Sequence, residues 1–233
     1  MARDVIRTEN FVSDAAKFIL EQARVALAER GEFRIALSGG NTPRPIYAAF
    51  GRIARDLPWE LVRFTFGDER CVPPNDPESN FRMARESLFE PQSIPEQSIM
   101  RLRGEIDPPL AAQEYEDALA LLATQRGETI YRHDLMLLGM GDDGHTASLF
   151  PGTAALDEQV RRVVANLVPK LGAWRLTMTL PLLNQSRQVL FLFRGDKNPQ
   201  LLERVLAGAP EFPASLVNPP NGQLIWMIDA SAA

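Results

Sequence analysis

The feature that most narrows the possible folds is a recurrence of short apolar runs that pass directly into glycine-bearing polar turns. Leu135-Met136-Leu137-Leu138 feeds into Gly139-Met140-Gly141-Asp142-Asp143-Gly144-His145, and Phe33-Arg34-Ile35-Ala36-Leu37 into Ser38-Gly39-Gly40-Asn41-Thr42-Pro43. A third run, residues 61–66, ends in Gly67-Asp68-Glu69-Arg70. Helical periodicity fills the intervals. Residues 11–30 place Phe11, Ala15, Phe18, Ile19 and Val25 on one face, with Ser13 or Asp14 as the cap and Gly31 as the stop. Further helices are expected at 44–55, 81–89, 111–123 and 199–207. The remaining strands are expected at 134–138, 161–166, 175–179, 188–193 and 224–228. Strands alternating with helices predict an α/β fold with a mainly parallel sheet covered on both faces. In such folds ligands lie at the carboxyl ends of the strands, which is where all three turns fall.

The prolines are scattered through connections and no linker interrupts the chain, so its 233 residues are expected to form one domain. A net charge of −5 gives no electrostatic reason to expect nucleic acid or an anionic membrane as partner. The single cysteine, Cys71, excludes an internal disulfide and a cysteine-based structural zinc site. The first residues lack the apolar core of a signal peptide and no run of 18 apolar residues occurs, so a cytoplasmic location is expected.

Each turn has a plain structural reading and a chemical one. Residues 38–43 place glycines and Pro43 at a helix start, with Thr42 as the expected cap. Free amides and the positive end of the helix dipole suit a phosphate there, yet the same sequence serves as a capped turn. The segment matches neither the dinucleotide-binding pattern nor a nucleotide P-loop, so a nucleotide cofactor is not indicated. Asp68 and Arg70 stand either on a solvated loop edge or in a ligand site. There Arg70 would meet a carbonyl or phosphate with its planar fork of donors, and Asp68 would orient a base or bind sugar hydroxyls. His145 is one of two histidines. With Asp143 two residues away to set its tautomer, and glycines on either side, it is the candidate general base. His133 has no such setting and reads as structural. Lys170, Arg175 and Lys197 near later strand ends are candidates to clamp a phosphate, or surface decoration.

Together these segments resemble the 6-phosphogluconolactonase family. The resemblance rests on Leu37 to Pro43, on Phe66 to Pro73 with Ser79-Asn80, and on Gly139 to Pro151. It continues through Pro169-Lys170 with Arg175-Leu176-Thr177 and Gly195-Asp196-Lys197, and so runs through nearly the whole chain. It implies a modified Rossmann-like three-layer α/β/α sandwich of the ribose-5-phosphate isomerase and glucosamine-6-phosphate deaminase type. The implied activity is hydrolysis of 6-phospho-D-glucono-1,5-lactone to 6-phosphogluconate, in the oxidative pentose phosphate pathway, by a monomer without cofactor or metal. In that scheme His145 activates water, Asp143 orients it, and Arg70 or nearby amides stabilise the oxyanion. Ser38, Gly39, Gly40, Asn41 and Thr42 bind substrate together with Asp68, Lys170, Arg175 and Lys197. Two departures stand out: Asp142 replaces a Pro or small residue, and Leu171-Gly172-Ala173-Trp174 replaces a proline-rich run that frequently follows Pro-Lys.

Two other functions are weaker. The related deaminase is expected to carry a ring-opening glutamate after the histidine, where this chain has Ala147-Ser148-Leu149-Phe150-Pro151. A non-catalytic sugar-phosphate sensor would be expected to lose Asp143 or His145, and both are present.

Overall fold

Five of the strands in the main sheet read as near-continuous apolar runs, and burial on both faces is the reason. The computed structural model describes residues 4–194 and 199–230. Every residue of β2 (Phe33–Leu37) and β5 (Leu135–Leu138) is buried. The same is nearly true of β3 (Val62–Phe66), β8 (Gln188–Phe193) and β9 (Gln223–Asp229). These five and β1 (Asp4–Thr8) form an all-parallel sheet in the order β1-β9-β8-β5-β2-β3. Parallel sheets need both faces covered, which explains why no polar alternation marks the central strands. Phe191 and Trp226 are register partners, and their rings stack at 3.9 Å.

Helices α1 (Phe11–Arg30), α2 (Pro43–Ile53), α4 (Pro108–Thr124) and α6 (Pro199–Leu206) flank the sheets. Helix α1 ends where expected, because Gly31 adopts φ +73° and donates its N–H to Leu27 O. Its start is one turn earlier than Ser13 or Asp14 would give, with Asn10 in the cap position. Thr42 takes helical dihedrals and makes no side-chain cap, so α2 starts on the fixed φ of Pro43 alone. The helix expected at 81–89 is α3 (Asn80–Ala84), continued by one π-helical turn over Arg85–Phe89. Short helices α5 (Leu180–Leu183) and α7 (Pro213–Leu216) were not expected.

Two strands depart from the parallel scheme. β6 (Val163–Val168) and β7 (Ala173–Met178) pair antiparallel, and with β4 (Asp68–Arg70) they make a separate three-stranded sheet in the order β4-β7-β6. Only six residues separate the register pair Val168↔Ala173 inclusive of its ends, too short a span for a parallel crossover. The two sheets join at Gly67, whose N–H donates to Leu37 O while its carbonyl accepts from Met178 N–H. The chain therefore leaves β3 in one sheet and enters β4 in the other. This handover carries Asp68 and Arg70 to the seam beside the carboxyl ends of β2 and β5. Among the described residues, no helix is long and apolar enough to cross a membrane.

Candidate active site

Two hollows open along that seam. The first, of about 250 Å³, is lined by residues 38–43 with Asn80, residues 139–141 and residues 192–194. The second, of about 300 Å³, is lined by Asp142, Asp143, Ser148, Phe150, residues 170–171 and Arg175. Asp68, Arg70, His145 and Ala147 line both, which puts the histidine on the ridge between them.

The loop after β5 builds this ridge. Gly141 and His145 close it through a backbone bond of 3.0 Å, Gly141 N to His145 O. A Cβ on Gly141 would lie 2.0 Å from the His145 ring, so only glycine lets the imidazole fold back over the loop. Ala147 is held at φ +47°, a left-handed conformation costing an alanine on the order of 1 kcal/mol. Its neighbours hold it there: Thr146 Oγ1 donates to Gly139 O at 2.8 Å, and Ser148 N to Thr177 Oγ1 at 3.2 Å.

The imidazole is fixed on two sides. Nδ1 faces Asp143 Oδ1 at 2.5 Å, and Phe150 stacks on the ring with centroids 4.0 Å apart. With Nδ1–H donated to the carboxylate, Nε2 is the nitrogen left for a proton transfer. Lys170 Nζ donates to the other carboxylate oxygen, Oδ2, at 2.9 Å. Burial alone would raise the Asp143 carboxyl, but the hydrogen bonds from Lys170 and His145 outweigh it and hold the group at about 2. Asp143 is thus an anion at any physiological pH.

On the facing wall, Asp68 is buried and doubly held. Ser148 Oγ donates to its Oδ2 at 2.6 Å, and Asn80 Nδ2 to its Oδ1 at 3.2 Å and its carbonyl at 3.0 Å. Glu69 turns the opposite way and caps α3, accepting from Asn80 N at 2.7 Å and Phe81 N at 2.8 Å. Burial pushes its carboxyl up against the pull of those amides. Arg70 is anchored through Nη1 on Glu78 O and stays partly exposed between the hollows. The glycine turn is closely fitted as well, since a Cβ on Gly39 would overlap Asn80 Oδ1 at 1.8 Å. Ser38 Oγ is buried there with no hydrogen-bond partner among the described residues, a donor available to a ligand.

The sequence-derived site residues therefore do not share one hollow. Ser38, Gly39, Gly40, Asn41 and Thr42 line the first. Lys170 and Arg175 line the second, and Lys170 is engaged with Asp143. Lys197 lies outside the described residues. Four residues without an assigned role join the site: Asn80, Ser148, Phe150 and Arg194. Arg194 follows β8 directly and ion-pairs through Nε with Asp229 Oδ2 at 3.1 Å. The strand-end rule that singled out Asp68 and His145 could have found it. Asn80 stood in a segment that carries the family resemblance but received no role, because it reaches Asp68 from a helix 12 residues further along the chain. Among the described residues, no group of three or more His, Cys, Asp or Glu side chains could hold a metal ion.

A carboxylate-bound imidazole on a ridge at the strand ends, with a glycine-rich helix start opposite, defines an α/β enzyme acting on a small polar ligand. Comparison with known proteins narrows the class. A family model described as glucosamine-6-phosphate isomerases/6-phosphogluconolactonase matches residues 7–226, and the chain belongs to that family. It is 40% identical over 232 residues to a 6-phosphogluconolactonase of Synechocystis, across 98% of this chain and 95% of that protein. It is 37% identical over 229 residues to a human 6-phosphogluconolactonase, across 94% and 86%. The solved 6-phosphogluconolactonase from Trypanosoma cruzi matches with a TM-score of 0.86 at 31% identity, covering 98% of this chain and 94% of that one.

Proposed function

We propose that this protein hydrolyses 6-phospho-D-glucono-1,5-lactone to 6-phospho-D-gluconate, the lactonase step of the oxidative pentose phosphate pathway. The observation that carries this reading is the His145 ring itself. It is bound at Nδ1 by Asp143, is covered on one face by Phe150, and borders both hollows with Nε2 free for chemistry. The relatives at 40% and 37% identity bear the same activity in their names.

Nε2 of His145 takes a proton from water as the water oxygen attacks C1 of the lactone. Asp143 stabilises the resulting imidazolium. The negative charge that develops on the carbonyl oxygen falls to Arg70 or to nearby amides, and such donors are worth roughly 3 kcal/mol each. As the tetrahedral intermediate collapses, the bond from C1 to the ring oxygen breaks and the ring oxygen takes the proton back from His145. Water, a base and an oxyanion donor complete the reaction, so no cofactor enters it. The 6-phosphate rests on the turn over residues 38–42, with Asp68 toward the sugar hydroxyls and Arg194, which lines the same hollow, or Lys197 as a further cation. A phosphate that takes no part in bond breaking supplies binding energy for orienting C1.

Aminosugar isomerisation is disfavoured at the position that would need an acid to open the ring. Leu149 is fully buried there and Phe150 is stacked on the histidine. The deciding experiment follows turnover of freshly generated lactone, corrected for spontaneous hydrolysis. Acceleration of many orders supports the proposal, whereas binding of 6-phosphogluconate without acceleration would make the protein a sensor.

A further inference from the structure

Lys170 reads from the sequence as a phosphate ligand, yet its ammonium is directed at the catalytic carboxylate. It sits in a one-turn 3₁₀ helix, Pro169–Leu171, between the two antiparallel strands β6 and β7. Two residues shape that turn: Pro169 presets its first φ, and Gly172 closes it at φ +58° and donates its N–H to Pro169 O at 3.1 Å. Gly172 belongs to the segment that departs from the family's proline-rich run. The result is a continuous line of contacts. Lys170 Nζ meets Asp143 Oδ2 at 2.9 Å, and Asp143 Oδ1 meets His145 Nδ1 at 2.5 Å.

We propose that Lys170 is a positioning residue for the general base: its ammonium holds the Asp143 carboxylate by one oxygen so that the other is aimed at His145 Nδ1. This rests on the lactonase reading above and deepens it. A carboxylate shared between two cations interacts less with each. With Lys170 in place, Asp143 holds the imidazole through one oxygen while its charge is divided between two partners. The charged groups facing this cluster are Asp142, Asp68, Arg70 and Arg175, all lining the same hollow. Asp142 adds a second attraction for the lysine. Arg70 bonds to Glu78 O and Arg175 to Trp174 O, which leaves Lys170 as the cationic hydrogen-bond partner of Asp143 besides the histidine among the described residues.

The test compares Lys170→Met and Lys170→Arg with the wild type on two probes, the phosphorylated lactone and unphosphorylated glucono-1,5-lactone. Removing the ammonium should lower kcat on the phosphorylated lactone and kcat/KM on the plain one by the same factor, about 2- to 5-fold for an exposed ion pair. KM for the phosphorylated lactone should stay within about twofold. The acidic limb of the rate profile should move up by about half a pH unit, because Asp143 then binds the protonated imidazole more strongly. Lys170→Arg should recover most of the loss, and Lys170→Met should have no further effect in an Asp143→Asn background. A rise in KM confined to the phosphorylated substrate, with the acidic limb unmoved, would make Lys170 a phosphate ligand and overturn the proposal. Unchanged kinetics on both lactones would overturn it too. If the wild type accelerates neither lactone, it is the lactonase reading that fails.

Discussion

His133 and His145 flank one strand, β5, and meet opposite fates. His133 precedes the amino end of the strand and is fully buried, its Nε2 2.9 Å from Thr65 Oγ1 and its ring edge-on to Tyr131 at 4.9 Å. The Thr65 hydroxyl donates to Ile35 O, so it accepts from Nε2–H, and Nδ1 remains a bare lone pair with no partner among the described residues. Burial, with the nearby Arg34 charge adding to it, pushes this imidazole down to about 3. His145 follows the carboxyl end, is partly open, and faces a carboxylate. The same side chain is thus a neutral packing piece at one end of the strand and a candidate base at the other. What differs is the solvent and the charge around it.

The sharpest way to break this contrast is to remove each ring in turn. His145→Asn is expected to lower kcat by about 10²–10⁴-fold while the affinity for 6-phosphogluconate changes little. His133→Gln should leave kcat near the wild-type value. Lactone turnover measured on both variants decides it, and near-normal activity in His145→Asn would remove that residue from the mechanism.

A smaller but still large effect is expected at the facing wall. Gly39→Ala places a methyl group inside Asn80, which must move and release its hold on Asp68. Turnover of the phosphorylated lactone should fall by about 10- to 100-fold, the loss of one or two charge-assisted contacts. The unphosphorylated lactone should suffer less. Equal losses on both substrates would separate this turn from phosphate binding.

The buried histidine has a signature in stability rather than rate. Between about pH 6.5 and about 3 the unfolded chain binds a proton at His133 that the folded protein does not. Its contribution is therefore full above pH 6.5 and is lost as the pH falls, at about 1.4 kcal/mol per pH unit. Urea unfolding of wild type and His133→Gln across this range should give curves that converge with acid at that slope. Parallel curves would mean that His133 titrates alike in both states.

The smallest expected signal is none at all. Glucosamine-6-phosphate should release no measurable ammonia, because neither Leu149 nor Phe150 can deliver a proton to a ring oxygen. Ammonia release comparable with lactone hydrolysis would overturn the functional proposal and leave the fold untouched.

Much of this contrast can be read from residues close together in the chain. The run Leu135 to Leu138 reads as a buried strand because its residues are apolar throughout, and the glycines after it mark a turn that only a small residue permits. Asp143 and His145 can meet because one residue separates them. The edge strand β1 gave no such signal. It is exposed over most of its length and is held by a backbone ladder to β9, more than 200 residues away, which no side-chain pattern records. The antiparallel pair β6 and β7 was legible as strands but not as a separate sheet, since their partner β4 follows β3 with a single glycine between.

The local sequence thus determined most of the strands, though not β1 or β4, and which loop carries the imidazole, because periodicity and glycine content act within a few residues. Tertiary structure alone decided the company each group keeps. It brought Asn80 and Ser148 onto Asp68 and laid Phe150 over His145. It divided the cations, setting Arg194 by the glycine turn and Lys170 against Asp143. The hydrogen bonds among them span up to 80 residues of chain, and their energies depend on distances of a few ångströms that strand order and register set.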